Sequence, residues 1–324
     1  MITGAITPAA TIPAPAEVAV VREALDLVAR MEYATAENRL LSELPAASPA
    51  RPYFAGLAAM NRFLDLGDTM ALRRAERHWE ALSPRAAPNP VFKKTETRTL
   101  TLYRGLSGMQ LSYSASLRGE RLLSTRMALA ARSELERVGT LPEARLALML
   151  FDYYRGRLLQ KIPFVGEAAL DTRAFEAGAT EVPLLRDMFL GSLFWIHVDN
   201  AHYAAAEAIS TDFLRRYPGN RLARQMRGAL LYRAGRLEDA RELQEGLKTE
   251  YAAAFAGLPK PVGVLPLGYF RAVGNLARVA KAEQSKGAGR GQDVSALLAE
   301  WRKAEQAGLM PWLPPVLKRD LADE

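Results

Sequence analysis

The stretch Gly228–Ala240, GALLYRAGRLEDA, carries the pattern on which the fold prediction depends. Gly228 lies in a helical run where a missing side chain lets a neighbouring helix come close, and Gly235 breaks the chain before the next run. Leu237 and Ala240 then place a large and a small apolar residue at the start of a second helical run. The arrangement predicts two antiparallel helices that pack tightly together.

The same pattern recurs along the chain at an interval of about 34 residues, the length of a common helical-hairpin repeat. Moving the large–small pair back by one such unit gives Tyr203 and Ala206, and a third copy near the N-terminus is Tyr33 and Ala36. In the upstream copy, Phe194 stands at the position of the glycine in the first helix. Because each hairpin cannot bury its apolar stripe alone, the copies predict a stack in which neighbouring hairpins complete the core.

Helical periodicity extends over nearly the whole chain from residue 17 onward, and no segment alternates in the manner of a strand. Proline-rich breaks separate groups of helices, and the links within each group are short. The predicted fold class is therefore all-α, an α-solenoid of antiparallel helix hairpins. The predicted helices span about 17–30, 33–44, 53–65, 68–82, 92–117, 120–137, 141–160, 166–177, 183–198, 201–216, 220–233, 236–254, 267–284 and 292–307, and the PWLPP tail is predicted to be irregular.

Three regions are predicted from these breaks. Residues 1–15 read as a flexible leader rich in proline and alanine, without the charged start and long apolar run of a signal peptide. Residues 16–255 form the helical repeat domain. Residues 256–324 form a C-terminal helical pair with a proline-rich tail, packed on the solenoid.

Residues 17–255 resemble a group of bacterial tetratricopeptide-repeat proteins that are distantly similar to the tetratricopeptide-39 and Iml2 type. Beside the paired repeats, the resemblance rests on GLSG at 105–108, LPEAR at 141–145, the Tyr153-Tyr154 pair and PFVG at 163–166. It implies a TPR-like α-solenoid that serves as a scaffold, and it implies no particular substrate. Bacterial members are often exported, which favours the periplasm over the cytoplasm.

Composition excludes several kinds of chemistry. The chain has no cysteine, so disulfides, thiolate metal sites and cysteine nucleophiles are ruled out. His197 and His202 are five positions apart and therefore should not share a helix face, so no metal site is predicted. No carboxylate or serine motif has the partners that catalysis needs. We expect no enzymatic activity, no catalytic residue, no cofactor and no small-molecule substrate, and no run is long enough to be a transmembrane segment.

The predicted function is that of a non-catalytic scaffold or adaptor in a bacterial assembly, with the cell envelope as the favoured location and a protein as its partner. Alternatives are a helical-array enzyme such as a cell-wall lyase, and a nucleic-acid binder that uses the arginines behind the net charge of +7. The arginines between positions 215 and 236, which we call the arginine string, favour an acidic partner as one alternative. A solvated surface that binds no partner would also explain these arginines. In the TPR-like register the first helices line a concave groove, and the partner-binding candidates there are Trp195, Asp199, Arg224, Gln225, Arg227, Tyr232 and Arg233.

Overall fold

A computed structural model describes residues 15–83, 98–159, 170–256, 266–287 and 293–306, together with 309, 312–313 and 315–321. Over these residues the protein is all-α, without a strand, as predicted. Sequence-neighbouring helices pack together in pairs. The helices are α1 (Pro15–Ala29), α2 (Tyr33–Glu43), α3 (Ala50–Leu66), α4 (Thr69–Glu80), α5 (Arg98–Leu117), α6 (Arg121–Arg137), α7 (Pro142–Leu159), α8 (Thr172–Thr180), α9 (Arg186–Asp199), α10 (Tyr203–Arg216), α11 (Arg221–Arg233), α12 (Leu237–Ala256), α13 (Leu267–Ser285), α14 (Val294–Gln306) and α15 (Pro315–Leu321).

One turn geometry recurs between the two helices of a hairpin. In five hairpins, the residue two positions before the second helix has a positive φ, which reverses the chain after the first helix. These residues are Met31, Gly67, Gly119, Ala201 and Gly235, with φ of 68°, 75°, 78°, 57° and 77°. The recurrence adds α3/α4 and α5/α6 to the three hairpins that the sequence pattern relates to one another.

Four of these turns also share a hydrogen bond. The residue after the left-handed one donates its N–H to the carbonyl five positions earlier, which satisfies a carbonyl at the end of the first helix. The four bonds run from Glu32 to Leu27, Glu120 to Ala115, His202 to His197 and Arg236 to Leu231. The α3/α4 turn differs, because Asp68 there accepts a side-chain hydrogen bond from the Ala71 N–H and caps α4.

Small residues in the second helices lie where the repeat register predicts them. Ala36, Ala206 and Ala240 are all fully buried, at 0% exposure. They are the fourth residues of α2, α10 and α12, one turn after the hairpin bend. A small side chain at this point lets the second helix close onto the first.

Glycines in the first helices receive side chains from the second helices. A Cβ added to Gly228 would lie 2.0 Å from Gln244 Nε2, and one added to Gly105 would lie 2.6 Å from Leu135. The sequence pattern predicted a close approach at Gly228, and the structure shows that a buried side chain rather than a neighbouring backbone fills the space.

In the upstream copy of the repeat, the large residue lies in the first helix and the small residue lies in the second helix. Phe194 occupies the glycine position and is fully buried in a small cluster with Val198, Ala206 and Leu230. The residue of α10 in register with Gln244 is Ser210, which is also buried. A large residue in the first helix and a small one in the second therefore replace the reverse combination, which explains why Phe194 is compatible with the repeat.

The first hairpins also contact the last ones, which a stack of neighbours alone would not produce. Helix α3 packs against α11 and α13, and most of the buried apolar residues form one cluster from Val21 to Leu321. Asp65, at the end of α3, is fully buried and binds Arg221 at 2.5 Å and the Tyr251 hydroxyl at 2.7 Å. This charged cluster joins α3 to α11 and α12.

Several helix bounds differ from the predicted ones, and one helix was not predicted. Helix α3 begins at Ala50 rather than 53, because Pro52 fits in a first turn, where its missing N–H is not needed. Helix α8 begins at Thr172 rather than 166, after Asp171 caps it by accepting from the Ala174 N–H. The C-terminal region has a third helix, α15, where only an irregular tail was predicted. The predicted leader and the PFVG turn lie outside the described residues, except for Pro15 in α1.

Candidate functional site

Exposed aromatic and exposed aliphatic side chains lie on different sets of helices. Among the described residues, the strongly exposed aromatic side chains are Tyr113, Tyr154 and Trp195, on the first helices α5, α7 and α9. The strongly exposed aliphatic ones lie on the second helices α4 and α6, namely Met70, Leu122, Leu123 and Leu129. We call Tyr113, Tyr154 and Trp195 the aromatic strip, because they follow one another on three successive first helices.

Tyr154 and Trp195 of the strip each stand beside a buried aromatic neighbour. Tyr153 is buried and its ring meets Tyr154 edge-on at 5.4 Å between centroids, while buried Phe194 meets Trp195 in the same way at 5.2 Å. Adjacent positions of a helix point about 100° apart, so only one residue of each pair can face the core. The buried member holds the exposed ring in place by edge-to-face contact.

The strip carries charge near its centre. Partial burial, followed by the negative charge of Asp199, raises the pKa of Tyr154 to about 12, with smaller contributions from Tyr153 and Tyr113. Asp199 in turn lies 3.9 Å from the Arg233 guanidinium on α11, and both side chains are 42% exposed. The strip therefore combines neutral tyrosine rings, an exposed tryptophan and one loosely paired acid and base, all accessible from solvent.

The predicted candidates on α11 divide into surface and interior residues. Gln225 is buried and donates to the Gly268 carbonyl at 2.6 Å, which fixes α11 to α13. Tyr232 is half-buried beneath the Arg278 guanidinium, 4.3 Å from its ring centroid. Arg224 and Arg227 pair with Glu250 at 2.5 Å and Glu207 at 3.6 Å. Of the seven candidates, Trp195, Asp199 and Arg233 are thus the exposed ones near the strip.

The arginine string is paired within the chain throughout. Arg221 binds buried Asp65, Arg216 binds Asp187 at 2.8 Å, and the other members each have a carboxylate within 4 Å. The remaining pairs are Arg215–Asp212, Arg224–Glu250, Arg227–Glu207, Arg233–Asp199, and Arg236 with Glu207 and Asp239. The string is therefore a network of alternating charge rather than a positive surface.

An apolar cleft lies between α9, α1, α3, α10 and α11, and none of the strip residues lines it. Its volume is about 440 Å³, within the range of small-ligand sites. Its walls are mainly leucine, phenylalanine, isoleucine, valine and methionine side chains. Helices far apart in sequence meet here, because α1 and α3 form one wall and α9–α11 the other.

The two histidines near the α9/α10 turn lie closer together than their spacing suggests. The left-handed turn at Ala201 brings the His202 ring to 5.8 Å from that of His197, between centroids. Burial, and then proximity to His202, lowers the pKa of His197. Within the described ranges, no three histidine or carboxylate side chains approach one another closely enough to hold a metal ion.

Sequence reasoning identified Trp195 but missed Tyr113 and Tyr154. In the sequence analysis Tyr154 enters only with Tyr153 as part of the family resemblance, although the side chains of adjacent helix positions must point in different directions. Tyr113 and Tyr154 both lie on predicted first helices. A comparison of their helix faces with that of Trp195 would have found them.

Comparisons with protein-family models, with curated proteins and with solved structures found no match. None of the helices in the described part of the chain combines the length and apolarity needed to cross a bilayer. The fold and the surface together define an all-α protein of paired helices that presents aromatic side chains on successive first helices.

Proposed function

We propose that this protein is a non-catalytic scaffold or adaptor that binds a protein partner across the aromatic strip. The observation that carries the proposal is the placement of Tyr113, Tyr154 and Trp195 on three successive first helices. Tryptophan and tyrosine are the residues that most often dominate binding energy at protein interfaces. Large rings held on rigid helices also lose little conformational entropy when a partner binds.

The charges around the strip support a protein partner over a nucleic acid. A phosphate backbone is bound by arginines that are free to contact it, whereas each arginine of the string already has a carboxylate partner. Asp199 adds a negative charge beside the strip. The TPR-like character inferred from the sequence belongs to the same proposal, since first helices of such repeats line the binding groove.

The test is site-specific photo-crosslinking in the native host. A photoreactive amino acid is placed at Trp195 or at Tyr154, and in matched controls at Met70 or Leu122. The controls are at least as exposed as the strip residues but lie on second helices. We expect one protein to be crosslinked from both strip positions and from neither control position.

Purified components then establish whether the contact contributes to affinity. The Tyr154→Ser/Trp195→Ser variant should weaken binding of the crosslinked protein by at least about a hundredfold, as expected for the loss of two anchoring aromatic residues. The Met70→Ser/Leu122→Ser variant should bind like the wild type. Equal crosslinking from the strip and control positions, or undiminished affinity of the strip variant, would rule out this interface.

A further inference from the structure

The apolar cleft offers a second binding site that is separate from the aromatic strip. We propose that it binds a neutral, predominantly apolar small molecule. Its walls come from α1 and α3 on one side and from α9, α10 and α11 on the other. The apolar residues of these walls include Leu25, Val28, Leu190, Phe194, Ile209 and Phe213.

Polar side chains that line the cleft are already engaged within the protein. Asn220 donates to the Ala29 carbonyl at 2.7 Å and accepts from the Ala223 N–H at 2.9 Å. Tyr217 donates its hydroxyl to the Asp26 carboxylate, and Ser210 donates to a carbonyl of its own helix at 3.0 Å. A ligand therefore gains little from hydrogen bonding here and binds by apolar contact.

The charges of the lining are balanced as well. Arg216 binds Asp187 at 2.8 Å and Asp212 at 3.4 Å, and Asp212 receives a further hydrogen bond from Arg215. Hydrogen bonding from Arg215 lowers the pKa of Asp212, which keeps this carboxylate ionised. Arg22 is exposed to solvent. A charged ligand group would have to break this network, so the arrangement favours a neutral ligand.

The size and plasticity of the cleft agree with this class of ligand. A volume of about 440 Å³ is typical of sites for small molecules. Met188 on α9 and Met226 on α11 both line the cleft, and methionine adapts its shape to an apolar ligand at low cost. This site was not expected from the sequence, which suggested no small-molecule chemistry.

Gly191 provides a way to fill the cleft without disturbing the fold. It lines the cleft on α9, and a Cβ built on it has no atom within 4 Å. Gly191→Phe places a ring in this open space, whereas Gly191→Ala adds one methyl group and serves as the matched control. Leu25→Phe narrows the cleft from the opposite wall.

The experiment is a fluorescence titration of the full chain with N-phenyl-1-naphthylamine, a neutral apolar probe. We expect saturable binding of one probe per chain, weakened about tenfold or more by Gly191→Phe and by Leu25→Phe and unchanged by Gly191→Ala. The probe should also raise the melting temperature of the wild type and of Gly191→Ala only, because it binds a cleft that exists in the folded state alone. Circular dichroism of each variant checks that it is folded.

Three results would overturn the proposal: no saturable binding, binding that both filling variants retain, or displacement of the probe by amphipathic helical peptides but not by long-chain alcohols. The last result would identify the cleft as a groove for a partner helix. The Tyr154→Ser/Trp195→Ser variant should bind the probe normally, so failure at one site is distinguishable from failure at the other.

Discussion

Among the residues that the structure describes, two other than glycine adopt the left-handed backbone conformation, Met31 with φ of 68° and Ala201 with φ of 57°. A side chain in this conformation places its Cβ close to the following carbonyl oxygen, at a cost of about 1–2 kcal/mol. The two residues occupy the same position of the repeated turn as Gly235. The hydrogen bond that closes the turn holds them in place despite this cost.

The strain predicts a stabilising substitution at the turn between α9 and α10. Ala201→Gly should raise the free energy of unfolding by about 0.5–1 kcal/mol, because relief of the left-handed strain exceeds the added entropy of the unfolded chain. Urea denaturation followed by circular dichroism measures the change. Ala204→Gly, an exposed position in the first turn of α10, should instead lower the stability by about 0.5–1 kcal/mol. Loss of stability in both variants would contradict the assigned turn geometry.

Residue identity predicted only part of the site. Trp195 was found because the repeat register gave it a face, and Asp199 and Arg233 followed from the same register. The periodicity of α11 places Gln225 among surface residues, but α13 covers it. The α11 sequence alone does not show that a later helix packs against it. Tyr113 lies in a helix whose polar and apolar residues are mixed, so no apolar stripe indicates which way it points.

At the level of the helix pair, the recurring device is a first-helix glycine that accommodates a large side chain of the second helix. The pairs are Gly56 with Trp79, Gly105 with Leu135, Gly228 with Gln244 and Gly274 with Trp301. Trp79 is fully buried and also donates its ring N–H to the Tyr53 carbonyl at 3.1 Å. The ring is thus fixed on two sides and cannot move away from an added methyl group.

Two glycines in first helices should therefore respond oppositely to alanine. A Cβ at Gly56 would lie 2.3 Å from Trp79 Nε1, so Gly56→Ala should destabilise the protein by about 1–3 kcal/mol through overpacking. Gly191 has no atom within 4 Å of an added Cβ, so Gly191→Ala should stabilise by up to about 1 kcal/mol through helix propensity. Thermal unfolding of both variants provides the comparison, and a stabilised Gly56→Ala variant would refute the packing argument.

Helix positions were largely predictable because proline breaks and apolar periodicity are local signals. The misplaced start of α8 and the missed α15 have local causes too. Asp171 was not weighed as a cap for α8, and the prolines before α15 were interpreted as ending structure although Pro315 begins the helix.

On the scale of the whole molecule, the decisive feature is the contact of α3 with α11, α12 and α13 around Asp65. This carboxylate is fully buried and neutralised by Arg221, whose guanidinium also lies 5.1 Å from the Tyr251 ring centroid. Arg271 on α13 donates to the Leu64 carbonyl at 2.8 Å, beside the same cluster. Residues far apart in sequence thus satisfy one another's buried polar groups.

Removing this carboxylate should be costly. Asp65→Ala leaves Arg221 largely buried without its counter-charge, so we expect a loss of about 3–5 kcal/mol in the free energy of unfolding. Asp199→Ala removes an exposed partner of Arg233 at 3.9 Å and should cost less than about 1 kcal/mol. Urea denaturation separates the two cases. Similar small losses of stability in both variants would mean that the Asp65 cluster does not hold α3 against α11 and α12.

The contact of α3 with α11, α12 and α13 could not be predicted from the repeat pattern. Spacing of small residues specifies how a hairpin meets its neighbour, but it carries no information on where the first hairpins meet the last. A lone aspartate in an apolar helix end was the available signal, because such a residue is seldom buried without a partner.

The contact between α3 and these later helices also has a consequence for biosynthesis. Asp65 and its partner Arg221 are 156 residues apart, so at elongation rates of about 5–20 residues per second Asp65 is synthesised roughly 8–30 s before that partner. During this interval Asp65 has no counter-charge, and Phe63 lacks the Trp312 ring that packs edge-on against it at 5.0 Å between centroids. The nascent chain therefore exposes the incompletely packed end of α3 to molecular chaperones, and slow translation of the C-terminal third would prolong this exposure.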